Sequence, residues 1–279
     1  MDDRAADLEC DSGGALFTSL DHRIDASSQR VEIERGNRVL DSLEGQARDL
    51  LLPHLEHTML AEGQILEVEG QRSTFLYFPT KGGISLEAGP DRASLQLALV
   101  GRKSLIGASL LLGGIPISRA VVQFQGAAWR VPADALGACL EKSPHLYRQL
   151  LLGVHAFVGQ LSRTAWANGR SMIEHRLANW LLTAADCLDA DHIPVTHQVL
   201  SNALGVRRPS VTIAMHALEE TRAVCSRRGH IRILDRQRLV AAAGDGFRAP
   251  IGLQPAPHGP RKPDSGGAPQ PATALRRNN

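Results

Sequence analysis

The chain of 279 residues has no long hydrophobic run, few cysteines and a net charge of only +2. Its longest apolar stretch, LIGASLLLGGIPI from Leu105, is shorter than the roughly 20 residues that a membrane-spanning helix needs. The acidic start MDDRAADLECDSGG lacks the apolar segment of a secretion signal. We therefore expect a cytoplasmic protein with no membrane partner.

Motifs for metal binding and for catalysis are also missing. The four cysteines are too far apart for a zinc site, an iron–sulfur site or a disulfide framework. There is no phosphate-binding loop, since GRKS at Gly101 has no upstream glycine, and there is no nucleophile elbow. Paired histidines with a glutamate at the spacing of a helical metal site are absent as well. These absences predict that the chain is not an enzyme and holds no cofactor.

Charge is unevenly distributed along the chain. Residues 1–45 contain 5 basic and 11 acidic side chains, whereas residues 207–238 contain 8 arginines and 3 acidic side chains. The first segment predicts a flexible acidic arm over 1–42. The second is either a solvated basic face or a surface for an anionic partner. The tail over 246–279 has 7 prolines and 5 glycines, which predicts disorder.

The segment 43–135 begins with a helical pattern and continues as short apolar segments. LEGQARDLLLPHLEHTML at 43–60 has helical spacing interrupted by Pro53. Segments such as TFLYFPTKGGISLEAG and SRAVVQFQGAAWRVP then alternate with glycine-bearing turns. This alternation predicts an antiparallel sandwich or barrel.

A long helix is predicted over 136–169. Apolar residues recur in it at alternating steps of three and four, which places them on one stripe. Such a stripe either packs on its own sheet or pairs with a partner helix, and we favour a homodimer. The predicted dimer contacts are Tyr147, Leu150, Val154, Phe157 and Leu161.

The stretch THQVLSNALGVRRPSVTIAMHALEE, from Thr196 to Glu220, predicts two helices joined by a sharp turn. Thr196 can cap the first helix, whose apolar face would be Val199, Leu200 and Ala203, and Gly205 suits the end of that helix. Pro209 fits the first turn of the second helix. The inward residues of that second helix would be Val211, Ala214, Met215 and Leu218.

This arrangement predicts a helix-turn-helix within 170–240, with the start of its second helix in the major groove of DNA. Arginine there suits guanine and phosphate, because its guanidinium can donate two parallel hydrogen bonds. AVCSRRGHIRILD then predicts a two-stranded hairpin placed like the wing of a winged helix. We expect base or nearby phosphate contacts from Arg207, Arg208, Ser210, Thr212 and His216, and backbone contacts from Thr196, His197, Arg227, Arg228 and Gly229.

The order of β-roll, long helix and winged helix-turn-helix resembles the bacterial Crp/Fnr family. The resemblance covers about residues 43–240 and is most specific in EHRLANWLL (174–182), the 195–219 stretch and RRGHIRILDR (227–236). It implies an α+β fold with an N-terminal double-stranded β-helix of the jelly-roll, cyclic-nucleotide-binding-like type. It also implies a homodimer that binds an inverted-repeat operator, with RNA polymerase as a further partner. The small-molecule effector is not identified.

The chain departs from the cyclic-AMP-binding members of that family. Their cassette has a glutamate after a glycine and an arginine further on, whereas here Ala108 follows Gly107 and Ser118 stands at the arginine position. Arg119 is displaced by one residue, which turns a strand side chain to the other face. The resemblance therefore implies a regulator that cyclic AMP does not control.

Other departures concern cofactors and the second helix of the helix-turn-helix. Neither the iron–sulfur nor the haem branch of the family is matched by Cys10, His54 or His57. Pro209 and Ile213 replace a base-reading glutamate and arginine, which predicts a different operator. The alternative function is a ligand-binding or scaffold protein whose helix-turn-helix has lost DNA binding.

Overall fold

The structure is a computed structural model that describes residues 36–90 and 94–244. An antiparallel sheet forms the N-terminal half of these residues and helices dominate the C-terminal half, which confirms the α+β class. The predicted tail and the predicted acidic arm up to residue 35 lie outside the described residues. Residues 36–42 pack beside the sheet, with Asn37, Val39 and Leu40 buried, so the arm prediction is wrong for them.

Two short helices precede the sheet: α1 is Arg38–Asp41 and α2 is Gly45–Leu51, followed by a 3-10 turn at Leu52–His54. The helix predicted over 43–60 is wrong for its last five residues. Proline in the 3-10 turn cannot continue the helical hydrogen bonds. The chain then becomes strand β1, Glu56–Leu60, whose backbone groups pair antiparallel with residues 126–130.

The other strands of the sheet are β2 Ile65–Glu67, β3 Phe75–Ala88, β4 Leu95–Val100 and β5 Arg119–Pro132. The strand order is β1-β5-β3-β4, with β2 paired to β5. Strands β3 and β5 are each 14 residues long and pair along their length. Gly126 is needed at a bulge between them, because a Cβ there would lie 2.0 Å from the carbonyl oxygen of Lys81.

The bulges in β3 change which side of the strand faces each core. Before them, Leu76 and Phe78 face the core shared with the helices, while Tyr77 faces the core inside the sheet. After the register shifts between Pro79 and Ile84, the even-numbered residues face the inner core instead. Because a one-residue shift turns every side chain over, a continuous apolar strand serves both cores.

The C-terminal half contains helices and a small three-stranded sheet of order β6-β8-β7. A short helix, α3, lies within the sheet domain at Ala108–Leu112. Beyond the sheet are α4 Ala133–Lys142, α5 Pro144–Arg170, α6 Ile173–Leu188, β6 His192–Pro194, α7 His197–Leu204, α8 Arg208–Glu220, β7 Val224–Arg227, β8 His230–Ile233 and α9 Arg236–Ala243.

The helix predicted over 136–169 is two helices, separated at Ser143. The Ser143 hydroxyl accepts a hydrogen bond from the Leu146 N–H and so caps α5. The expectation of an exposed dimer stripe is wrong for Leu150 and Val154, which are buried in their own protomer. Phe157 and Leu161 are partly buried against the inner core of the sheet.

Helix α6 is buried on most of its circumference. Its buried residues include Leu177, Trp180 and Leu181, together with Ala178 and Leu182 on the adjacent side. The reason is that α6 has the C-terminal helices on one side and strands β3 and β4 on the other. The C-terminal core therefore continues into the sheet. None of the described helices is both long and apolar enough to span a bilayer.

Candidate nucleic-acid interface

The turn between α7 and α8 forms as the sequence predicts. The Thr196 hydroxyl accepts from the Val199 N–H at 3.3 Å and caps α7. Gly205 ends that helix with φ +63°, a conformation that favours glycine. The predicted inner face of α7 is wrong for Val199, which is exposed; Leu200, Ser201 and Leu204 are buried instead.

Helix α8 buries one face and exposes its N-terminal end. The four predicted inward residues, Val211, Ala214, Met215 and Leu218, are all buried. Arg207 and Arg208 are exposed where the helix begins. An exposed helix N-terminus attracts anions, because its free N–H groups and its dipole both favour negative charge.

The wing lies beside the start of α7. Arg227 pairs with His230, and the two residues between them have positive φ, +44° at Arg228 and +83° at Gly229. This is the backbone of a tight two-residue hairpin loop. A Cβ added to Gly229 would lie 3.7 Å from Thr196 Cγ2, so the wing tip and the α7 cap adjoin. The His192 and His230 rings stack on this hairpin, 4.8 Å apart.

His197 connects α7 to α8. Its Nδ1 is 3.1 Å from Thr212 Oγ1, and that hydroxyl donates to the Arg208 carbonyl. Burial lowers the pKa of His197, and the Arg208 cation lowers it further. Both effects favour the neutral form of the imidazole.

Glu219 supports both α8 and the wing. One carboxylate oxygen accepts from the Ser226 N–H of β7 at 2.8 Å, and the other is 3.3 Å from His216 Nδ1. Sequence reasoning missed this residue, because a glutamate near a helix end resembles ordinary surface. Its partner from β7 becomes visible only in the fold.

The structure gathers most of the predicted contact residues on one surface. The two arginines, Thr212 and His197 lie around the N-terminal half of α8, Thr196 and Gly229 meet beside them, and His216 is one turn further along. Ser210 lies on the other flank of α8, about 160° from Arg208 around the helix axis. Ile213, 66% exposed on the outer face of α8, was not among the predicted contacts.

A second place of interest is the segment that resembles the phosphate-binding cassette. Gly107, with φ +105°, leads into α3, and its N–H donates to the carboxylate of Glu67 on β2. The hydroxyls of Ser73 and Ser109 also donate to that carboxylate. Glu67 is only 8% exposed. Burial raises the pKa of Glu67, although these three hydrogen bonds oppose the shift.

The displaced arginine of that segment has an acidic partner within the chain. Arg119 Nη2 lies 2.9 Å from Glu87 Oε2 on the neighbouring strand β3. The pair is partly buried, so ligand binding by Arg119 would first require breaking it. Among the described residues, no group of three or more potential metal-binding side chains comes together.

Comparison with known proteins supports this reading of the C-terminal region. Residues 175–242 match the family model of the Crp-like helix-turn-helix domain. A comparison with curated protein sequences finds no match.

Solved structures match most of the chain at low identity. A candidate Crp/Fnr-family transcriptional regulator from Eubacterium rectale has a TM-score of 0.60 and 18% identity, covering 75% of this chain and 99% of its own. A Crp/Fnr-family regulator from Thermus thermophilus has a TM-score of 0.57 and 22% identity, with coverages of 69% and 100%. FixK2 from Bradyrhizobium japonicum has a TM-score of 0.58 and 16% identity, with coverages of 67% and 96%.

Proposed function

Because residues 175–242 form a Crp-like helix-turn-helix domain and the chain has the fold of Crp/Fnr regulators, we propose that it is a sequence-specific, DNA-binding transcription regulator. One observation carries the proposal: the exposed start of α8, with Arg207 and Arg208, lies on the same surface as the Thr196 cap and the wing tip. A groove-binding helix needs such flanking contacts to fix its register on the duplex.

Each part of this surface has a task in the proposed complex. The start of α8 enters the major groove, where Arg208 donates to a guanine edge or to a nearby phosphate. Arg207 and Ser210 flank it, while Thr212 and His216 follow along the helix. Thr196, His197 and the wing residues Arg227, Arg228 and Gly229 contact the sugar-phosphate backbone.

The proposed assembly is a cytoplasmic homodimer on an inverted-repeat operator. Two copies related by a twofold axis present two recognition helices, which matches the symmetry of such an operator. RNA polymerase would be the further partner of the bound dimer. The dimer contacts lie along α5, where the described apolar residues are not all covered by the protomer's own sheet.

We further propose that cyclic AMP does not control the protein. The buried carboxylate of Glu67 accepts hydrogen bonds from the Gly107 N–H and the Ser109 hydroxyl at the start of α3. A cyclic phosphate would compete with that carboxylate for the same donors and would be repelled while it is ionised. Arg119, the candidate cation, is paired with Glu87.

The first experiment is a selection of genomic fragments by the purified protein at near-physiological salt, with and without cyclic AMP. We expect one inverted repeat to be enriched equally in both conditions, and its affinity to fall steeply with salt because phosphates are neutralised. Enrichment only with cyclic AMP would refute the independence from that nucleotide. Binding with neither sequence preference nor a salt slope would instead favour a scaffold protein.

Arg208→Ala tests the recognition helix directly. We expect specific affinity to fall by about 10- to 100-fold, as for loss of one bidentate base contact of about 1–3 kcal/mol, with a smaller loss on random DNA. Fluorescence anisotropy on both DNAs measures the two effects. Arg148→Ala, an exposed arginine on α5, is the control and should change neither. Equal losses on both DNAs would make Arg208 a phosphate contact only.

A further inference from the structure

Ile213 is a large apolar side chain in the middle of the most exposed face of α8. Successive residues of an α-helix turn by about 100°, which places Ile213 almost opposite the buried stripe of Val211, Ala214, Met215 and Leu218. Its side chain is 66% exposed. Its neighbours on the same outer face are Pro209, one turn earlier, and His216, one turn later; both are exposed.

Packing among residues 36–90 and 94–244 does not account for isoleucine at this place. The residue is outside every buried apolar cluster of the described residues and outside the residues packed against them. A β-branched side chain also favours a helix less than alanine, lysine or glutamate would. The isoleucine therefore adds no packing to the described residues, and its exposed side chain can contact a partner.

DNA, the partner proposed for this surface, has one apolar group that Ile213 could contact in the major groove. Along the major groove of unmodified DNA, the base edges present hydrogen-bond donors and acceptors, and thymine alone adds a methyl group. The outer face of a recognition helix is the part that approaches those edges. Arg208 and Thr212 offer polar contacts nearby, whereas Ile213 offers only van der Waals contact.

We propose that Ile213 is a specificity-determining residue that packs against the C5-methyl group of a thymine in each operator half-site. This inference rests on the proposed DNA binding and adds a base preference that is read without a hydrogen bond. The inference predicts that the operator base facing the centre of α8 is a thymine. A cytosine methylated at C5 would present the same methyl group.

The test removes single methyl groups from the DNA. Each thymine of the selected operator is replaced in turn by deoxyuridine, which changes only the C5 substituent. We expect wild-type affinity to fall about fourfold per half-site at one symmetric position, the effect of burying one methyl group at about 0.8 kcal/mol. With Ile213→Ala, the ratio of the affinities for thymine-containing and uracil-containing DNA at that position should fall to about one. Ile213→Val should keep part of the preference for thymine.

Val199→Ala is the matched control, because Val199 is an exposed apolar residue on α7 rather than on α8. The Val199→Ala variant should prefer thymine over uracil as strongly as the wild type does. The inference is overturned if no deoxyuridine changes the affinity, or if Ile213→Ala keeps the wild-type ratio. Both outcomes leave DNA binding intact. If the wild type enriches no DNA at all, the proposed function fails first and this inference fails with it.

Discussion

At the residue scale, Asn37 shows how one buried amide joins three parts of the chain. Its Oδ1 accepts from the N–H groups of Val39 and Leu40 and caps α1. Its Nδ2 donates to the carbonyls of Pro79 on β3 and Ser104 after β4. The side chain is fully buried, so each of these hydrogen bonds replaces one to water.

Asn37→Ala should therefore be strongly destabilising. The change leaves two buried carbonyls and the start of α1 without partners, and we expect a loss of about 2–4 kcal/mol in the free energy of unfolding. Urea unfolding followed by circular dichroism measures it. Gln46→Ala, which removes an exposed amide from α2, should cost less than about 0.5 kcal/mol. Equal effects of the two changes would contradict the role of Asn37.

At the element scale, α5 presents two adjacent apolar stripes with the same alternating steps. One stripe, with Leu146, Leu150 and Phe157, lies against the protomer's own sheet domain. The other is turned by about 80° around the helix axis and is exposed in part, with Val158 51% exposed. We propose this second stripe as the dimer seam, without the buried Val154: Tyr147, Leu151, Val158, Leu161 and Ala165.

Val158→Glu should separate the dimer. In a twofold pair the two copies of this residue lie close to each other, so the change places two carboxylates in an apolar seam. We expect the dissociation constant to rise at least about 100-fold, for a cost of about 3 kcal/mol. Light scattering after size exclusion measures the mass. His145→Glu, exposed on another side of α5, should leave the mass unchanged; a dimeric Val158→Glu protein would rule out this seam.

At the scale of the whole molecule, polar contacts join the sheet domain to the helix-turn-helix domain. Trp180 of α6 donates to Gln96 of β4 at 2.6 Å, and that amide donates to Ser85. Asp186, near the end of α6, accepts from Lys103 in the segment after β4 and from Arg236 of α9, both at 2.5 Å. One carboxylate thus holds a cation from each domain.

The Asp186 contacts predict how stability depends on pH. Burial opposes ionisation of Asp186, but hydrogen bonds and charge from Lys103 and Arg236 hold its pKa below the ordinary 3.8. A depressed carboxyl pKa stabilises the folded state above the unfolded value, and this stabilisation is lost as pH falls through the folded pKa. Asp186→Asn should therefore cost about 1–2 kcal/mol at pH 7.

Urea midpoints from pH 7 to pH 3 test this expectation. The difference between wild type and Asp186→Asn should shrink as pH falls below about 4, because this carboxyl protonates first in the unfolded chain and only at lower pH in the folded protein. The control is Asp189→Asn, an exposed residue near Arg102, where asparagine also tolerates the left-handed backbone. A pH-independent difference for Asp186→Asn would show that packing, rather than charge, accounts for its cost.

The sequence by itself determined the local features of the candidate interface. The capping threonine, the glycine of the turn, the proline in the first turn of α8 and the hairpin glycine act through backbone preferences of neighbouring residues. The buried face of α8 follows from helical periodicity. These features need no knowledge of distant contacts, so all of them are found where the sequence predicts them.

Only the tertiary structure decided which apolar stripe is buried and which segments pair with each other. Residues 56–60 have the apolar spacing of a helix but form a strand, because residues 126–130 supply a strand edge for pairing. Two apolar stripes on α5 have equal periodicity, and the sheet domain covers one of them. The partners of Glu67 and Glu219 come from other segments, which the fold brings beside these carboxylates. Burial and hydrogen bonding between separate elements depend on the assembled fold, which local propensity does not encode.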